Sequence, residues 1–80
     1  MASANTWEGQ RGMAMKTYEA ILANPASIAR VVAARLAIER AGGSVKLAPP
    51  TSAGMILATL ILPDGYMPQD FVPGLPFYLV

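Results

Sequence analysis

Met55–Leu62 reads MILATLIL, eight residues without a charge, a glycine or a proline, set between Gly54 and Pro63. Its reading decides the fold. As a short apolar run between turn residues it fits a buried strand. As a mixture of Met, Leu and Ala it also fits a helix over about 53–62. The strand reading gives an α+β fold, and the helix reading a mostly α one. The residues just before it favour the strand. "SVKLA" from Ser44 alternates, with Val45 and Leu47 on one side and Lys46 on the other, as a half-buried strand does. "PPTSAG" between the two runs is turn chemistry. A β-hairpin of about 44–48 and 55–62 follows. Left on an open sheet edge, MILATLIL would be an aggregation hazard, so it must be covered.

Upstream, Met13–Ala23 is weighted toward Ala, Met, Lys, Glu and Leu, which predicts a short helix with Met15, Tyr18 and Leu22 on one face. Asn24-Pro25 then breaks the chain. Asn24 suits an N-cap and Pro25 the first helical position, so a longer, alanine-rich helix is expected over about 25–41. Gly42-Gly43 ends it. Ala29, Ala33, Ala37 and Ala41 recur every fourth residue and form one smooth ridge. Ile28, Val31, Val32, Leu36 and Ile38 cover most of the remaining surface. A helix apolar on nearly every side is buried on several sides, and a ridge of alanines lets another backbone come close. Ala29, Ala33 and Ala37 are therefore expected at an interface with a neighbouring subunit, packing within the chain's own domain being the plainer alternative.

After the hairpin the composition changes again. Residues 63–80 hold four prolines, two tyrosines, two phenylalanines, and only Asp64 and Asp70 as charges. Prolines exclude a helix, and the aromatic content is wrong for a solvated linker. An extended C-terminal arm is expected, with PFYLV able to add a strand to a sheet edge. Ordering it costs roughly 1–2 kcal/mol per residue of backbone, which burial of large side chains must offset. Tyr66, Phe71, Phe77, Tyr78, Leu79 and Val80 are the expected contacts, with a neighbouring subunit as the host. Residues 1–12 read as a polar N-terminal arm without the apolar core of a signal peptide. Trp7 within them is a further interface candidate, because a large aromatic in a tail usually packs on something. The expected organisation is thus an arm over 1–12, a small helix–hairpin core over 13–62, and the arm over 63–80.

Composition bounds the chemistry. The 80 residues contain no cysteine and no histidine, so disulfides, thiolate metal sites and imidazole catalysis are excluded. No phosphate loop, dinucleotide fingerprint or catalytic triad occurs. The carboxylates Glu8, Glu19, Asp64 and Asp70 are scattered. We expect no catalytic residue, no metal and no cofactor, and hence no enzyme. Net charge is +1, and Arg30, Arg35 and Arg40 point in three directions around the helix, a poor match to a phosphate backbone. The longest apolar run, Ala53–Leu62, is half of the ~20 residues needed to span a membrane. The chain is 54% hydrophobic and 14% charged, too little charge to cover its own surface. The expectation is a small structural subunit of a larger assembly, homo- or hetero-oligomeric, such as a capsid, cement or tail component of a virion. An accessory subunit of a membrane-associated complex and a nucleic-acid adaptor are the alternatives. Virion or cytoplasm is the expected location.

Overall fold

The computed structural model describes residues 14–80 and has an α+β architecture. In chain order it holds strand β1 (Met15–Leu22), helix α1 (Pro25–Arg40), strand β2 (Ser44–Leu47), strand β3 (Ile56–Pro63), a single 3₁₀ turn (Pro68–Asp70) and strand β4 (Tyr78–Leu79). The four strands form one antiparallel sheet in the order β2-β3-β1-β4. β1 and β2 both run antiparallel to β3, so they run parallel to each other. α1 is the crossover between them, and β3 fills the gap, which makes a split βαβ unit.

The hairpin is present as expected, with ends shifted by a residue. Val45 pairs with Leu60 and Leu47 with Ala58. Its loop is held by Thr51, whose carbonyl accepts from Gly54 N–H at 2.9 Å and whose hydroxyl accepts from Met55 N–H at 3.1 Å. MILATLIL is covered on both edges: β2 lies on one side and β1 on the other.

The short helix expected over residues 13–23 is not formed; β1 occupies the segment instead. All eight of its residues pair with β3, from Met15 opposite Pro63 to Leu22 opposite Ile56. The pairing decides the matter. In a helix these residues would leave one edge of β3 bare, whereas as a strand they satisfy its backbone groups. The side chains alternate accordingly: Tyr18, Ala20 and Leu22 are buried, while Glu19 is partly and Ile21 largely exposed.

α1 begins and ends where its caps require. Asn24 is extended, and its side-chain oxygen accepts from Ala26 N–H at 2.8 Å. At the other end Gly42 has φ of 96°, Gly42 N–H donates to Glu39 O, and Gly43 N–H donates to Ile38 O at 2.9 Å. This is a Schellman closure with glycine in the left-handed position.

The core lies between α1 and one face of the sheet. Val31 and Ile38 from the helix meet Tyr18, Ala20, Leu22, Ala58, Leu60 and Leu62 from β1 and β3. The C-terminal arm completes this layer. Val72 is fully buried in the same cluster, and Phe71, Leu75 and Phe77 pack against it. The Arg30 guanidinium donates to Pro73 O at 2.6 Å and ties the arm to the helix. Within the arm, the Asp70 carboxylate accepts from Met67 N–H at 2.7 Å, closing the 3₁₀ turn. β4 then joins the outer edge of β1, with Leu79 opposite Tyr18 and Tyr78 opposite Glu19.

Candidate interaction surface

The fold leaves an apolar helix face and a mixed sheet face uncovered among the described residues. The first is the outer side of α1. At about 100° per residue, Val31, Ala34 and Ile38 define the inward side. Ala29, Ala33 and Leu36 lie opposite, with Val32 beside them. Val32 is 53% exposed and Leu36 57% exposed. Ala29, Ala33 and Ala37 are exposed as well. The alanine ridge therefore faces outward, next to two branched aliphatic side chains. Arg35 and Glu39 form an i,i+4 ion pair at 3.2 Å on its flank. Arg40 ends the stripe at the C-terminal turn.

The second surface is the far face of the sheet. Strand alternation places Thr17, Glu19 and Ile21 of β1, Leu57, Thr59 and Ile61 of β3, Ser44 and Lys46 of β2, and Tyr78 of β4 on that face. Ile21 is 58% exposed. Ile21, Thr51, Met55 and Leu57 surround a shallow apolar hollow of about 220 Å³ at its upper end.

The remaining predicted contacts fall in two groups. Phe71 and Phe77 are half-buried against the chain's own core. The Tyr66 and Phe71 rings approach to 5.7 Å between centroids at a tilt of 36°. Tyr66, Tyr78, Leu79 and Val80 are exposed. Trp7 lies outside the described residues. Sequence reasoning missed Val32 and Leu36 as contact residues and read them as general apolar cover. Their place beside the alanine ridge on the helical wheel was the available signal.

No constellation for chemistry converges among the described residues. Among the described residues, no group of three or more acidic side chains is placed to hold a metal ion. The carboxylates have structural partners or none: Asp64 lies 3.5 Å from Lys16 on the surface, Asp70 closes its turn, and Glu39 pairs with Arg35. Among the described residues, no helix is long and apolar enough to cross a membrane. Comparison with family models, curated proteins and solved structures gives no match to this chain.

Proposed function

We propose that the chain is a small non-enzymatic structural subunit that packs into a larger protein assembly through the outer face of α1, with the exposed end of the C-terminal arm as a second contact. The observation that carries this reading is the stripe Ala29, Val32, Ala33, Leu36 and Ala37, which is apolar and faces away from the core. A helix needs only one apolar side to pack on its own sheet. A second apolar side on the same helix has no use in an isolated monomer. Alanines at i, i+4 and i+8 allow close helix–helix approach, and Val32 and Leu36 supply the side chains to interlock. Burying each of these fully would contribute roughly 1.5–3 kcal/mol.

The arm contributes differently from the sequence-based expectation of a free clamp. Its middle, around Val72, belongs to the chain's own core, so Tyr66 and Met67 before it and Tyr78, Leu79 and Val80 after it remain to meet a neighbour. A virion component and an accessory subunit of a cellular complex would use such surfaces alike, and the identity of a co-purifying chain, read from its peptide sequences, separates the two.

Native mass spectrometry of the full chain, beside a Val32→Glu/Leu36→Glu variant, tests the reading. The parent chain is expected to form a defined oligomer or to carry a partner that the variant loses, with helical content unchanged. A parent chain that stays monomeric and partner-free over a wide concentration range would overturn it.

A further inference from the structure

β2 is an edge strand whose outer side is open among the described residues. Its free backbone groups can be assigned from the register. Ala48 N–H donates to Leu57 O, and Lys46 pairs with Thr59 and Ser44 with Ile61. Even-numbered residues of β2 therefore exchange their hydrogen bonds with β3. The N–H and C=O of Val45 and Leu47 point outward, since backbone polarity alternates along an antiparallel strand. Beside this edge lies a groove of about 460 Å³ lined by Val32, Arg35, Val45, Lys46 and Leu47. Val45 and Leu47 lie on the helix side of the sheet, facing the groove, and Lys46 lies on the far side.

We infer that this edge accepts an extended strand from another protein, one that alternates apolar and acidic side chains. This inference rests on the reading of the chain as an assembly subunit and concerns the β2 edge, whose groove shares Val32 with the outer face of α1. A strand added antiparallel to β2 hydrogen-bonds to Val45 and Leu47. Its residues on the helix side enter the groove against Val32, Val45 and Leu47, which calls for apolar side chains. Its residue opposite Lys46 sits on the far face as a close cross-strand neighbour. No ion pair engages Lys46 among the described residues, whereas Arg35 already pairs with Glu39. An acidic residue at that point is the complement.

A second copy of this chain meets the edge less well. Two β2 strands related by a two-fold axis satisfy both Val45 and Leu47 only when Val45 lies opposite Leu47 of the other copy. That register sets Lys46 directly against Lys46, a repulsive pair. Sliding one way sets Leu47 against Gly43, whose N–H is already given to Ile38 O. Sliding the other way sets Val45 against Pro49, which has no N–H to give.

The test uses the full chain, labelled with ¹⁵N, and two blocked synthetic peptides, SVEVEVS and SVKVKVS. The acidic peptide is expected to shift the Val45 and Leu47 amides, slow their exchange, and bind at least tenfold tighter than the lysine peptide. Lys46→Glu should reverse that preference. Equal binding of the two peptides, shifts centred elsewhere, or no binding at millimolar concentration would overturn the inference. So would Val45 and Leu47 amides already protected in the unliganded chain, whether dilution or removal of residues 1–13 releases them. An oligomer in the mass spectrum with no peptide response removes the edge site alone, and a peptide-binding monomer removes the assembly reading alone.

Discussion

A methyl group at Gly43 would lie 2.5 Å from the carbonyl oxygen of Ile61 and 3.0 Å from the Ile38 side chain. The first of these neighbours is backbone and has little freedom to move. Gly43 lies in the turn between α1 and β2, pressed against the β3 backbone, so a side chain there has no room. Gly43→Ala is expected to cost about 1–3 kcal/mol through overpacking, read as a lower urea midpoint with an unchanged slope. Val72 makes a complementary case. It is 2% exposed, lies far from the helix in sequence, and belongs to the central cluster. Val72→Ala should destabilise by about 2 kcal/mol, in the range of buried aliphatic truncations. Tyr78→Ala, two residues from the chain's last, should change stability by no more than about 0.5 kcal/mol, as exposed sites do. Urea unfolding of the two variants side by side checks that the arm has a buried middle and an exposed end.

Among the elements, α1 was legible and β1 was not, for one physical reason. α1 is marked by local chemistry: Asn24 and Pro25 begin it, Gly42 and Gly43 end it, and every signal acts within a few residues. The hairpin is nearly as local, since its strands are joined by a short turn-rich loop. β1 depends on β3, whose first residue lies more than thirty positions downstream. Its alternation of Tyr18, Ala20 and Leu22 against Thr17, Glu19 and Ile21 was visible, but Ile21 on the open face blurred it, and residue propensities pointed to a helix. Sheet pairing outweighs such propensities. The arm's turn back onto the core was hidden in the same way, because its anchor, Arg30 to Pro73 O, spans 43 positions. Replacing Arg30 by Met keeps the aliphatic stem and removes that anchor. Hydrogen exchange should then speed up over residues 66–80 and stay unchanged in α1. Equal exchange in both proteins would show that Val72 and β4 hold the arm without it. The outer stripe of α1 was legible in part, since the alanine spacing identified a ridge, while its outward direction depended on where the sheet lay.

For the whole molecule, the decisive relation is between a small core and a large apolar surface. One helix on one four-stranded sheet forms a two-layer domain with a single buried interface. It places Val32, Leu36, Ile21, Tyr78, Leu79 and Val80 outside that interface, each at least half exposed. A chain of this size is marginally stable alone, and partners that bind the folded state add to its stability by mass action. A chain ending at Leu62 loses Val72 and β4 together and is expected to unfold without a cooperative thermal transition. The direct test of the assembly account is carbene footprinting of the full chain as purified, read by mass spectrometry at each α1 side chain. The account predicts labelling of Val32 and Leu36 well below that of Ile21, which is 58% exposed on the far face of the sheet, rising on dilution or in the Val32→Glu/Leu36→Glu background at neighbouring Ala29 and Ala33. Val32 and Leu36 labelled as heavily as Ile21 at every concentration would contradict it, because the outer face of α1 would then meet only water.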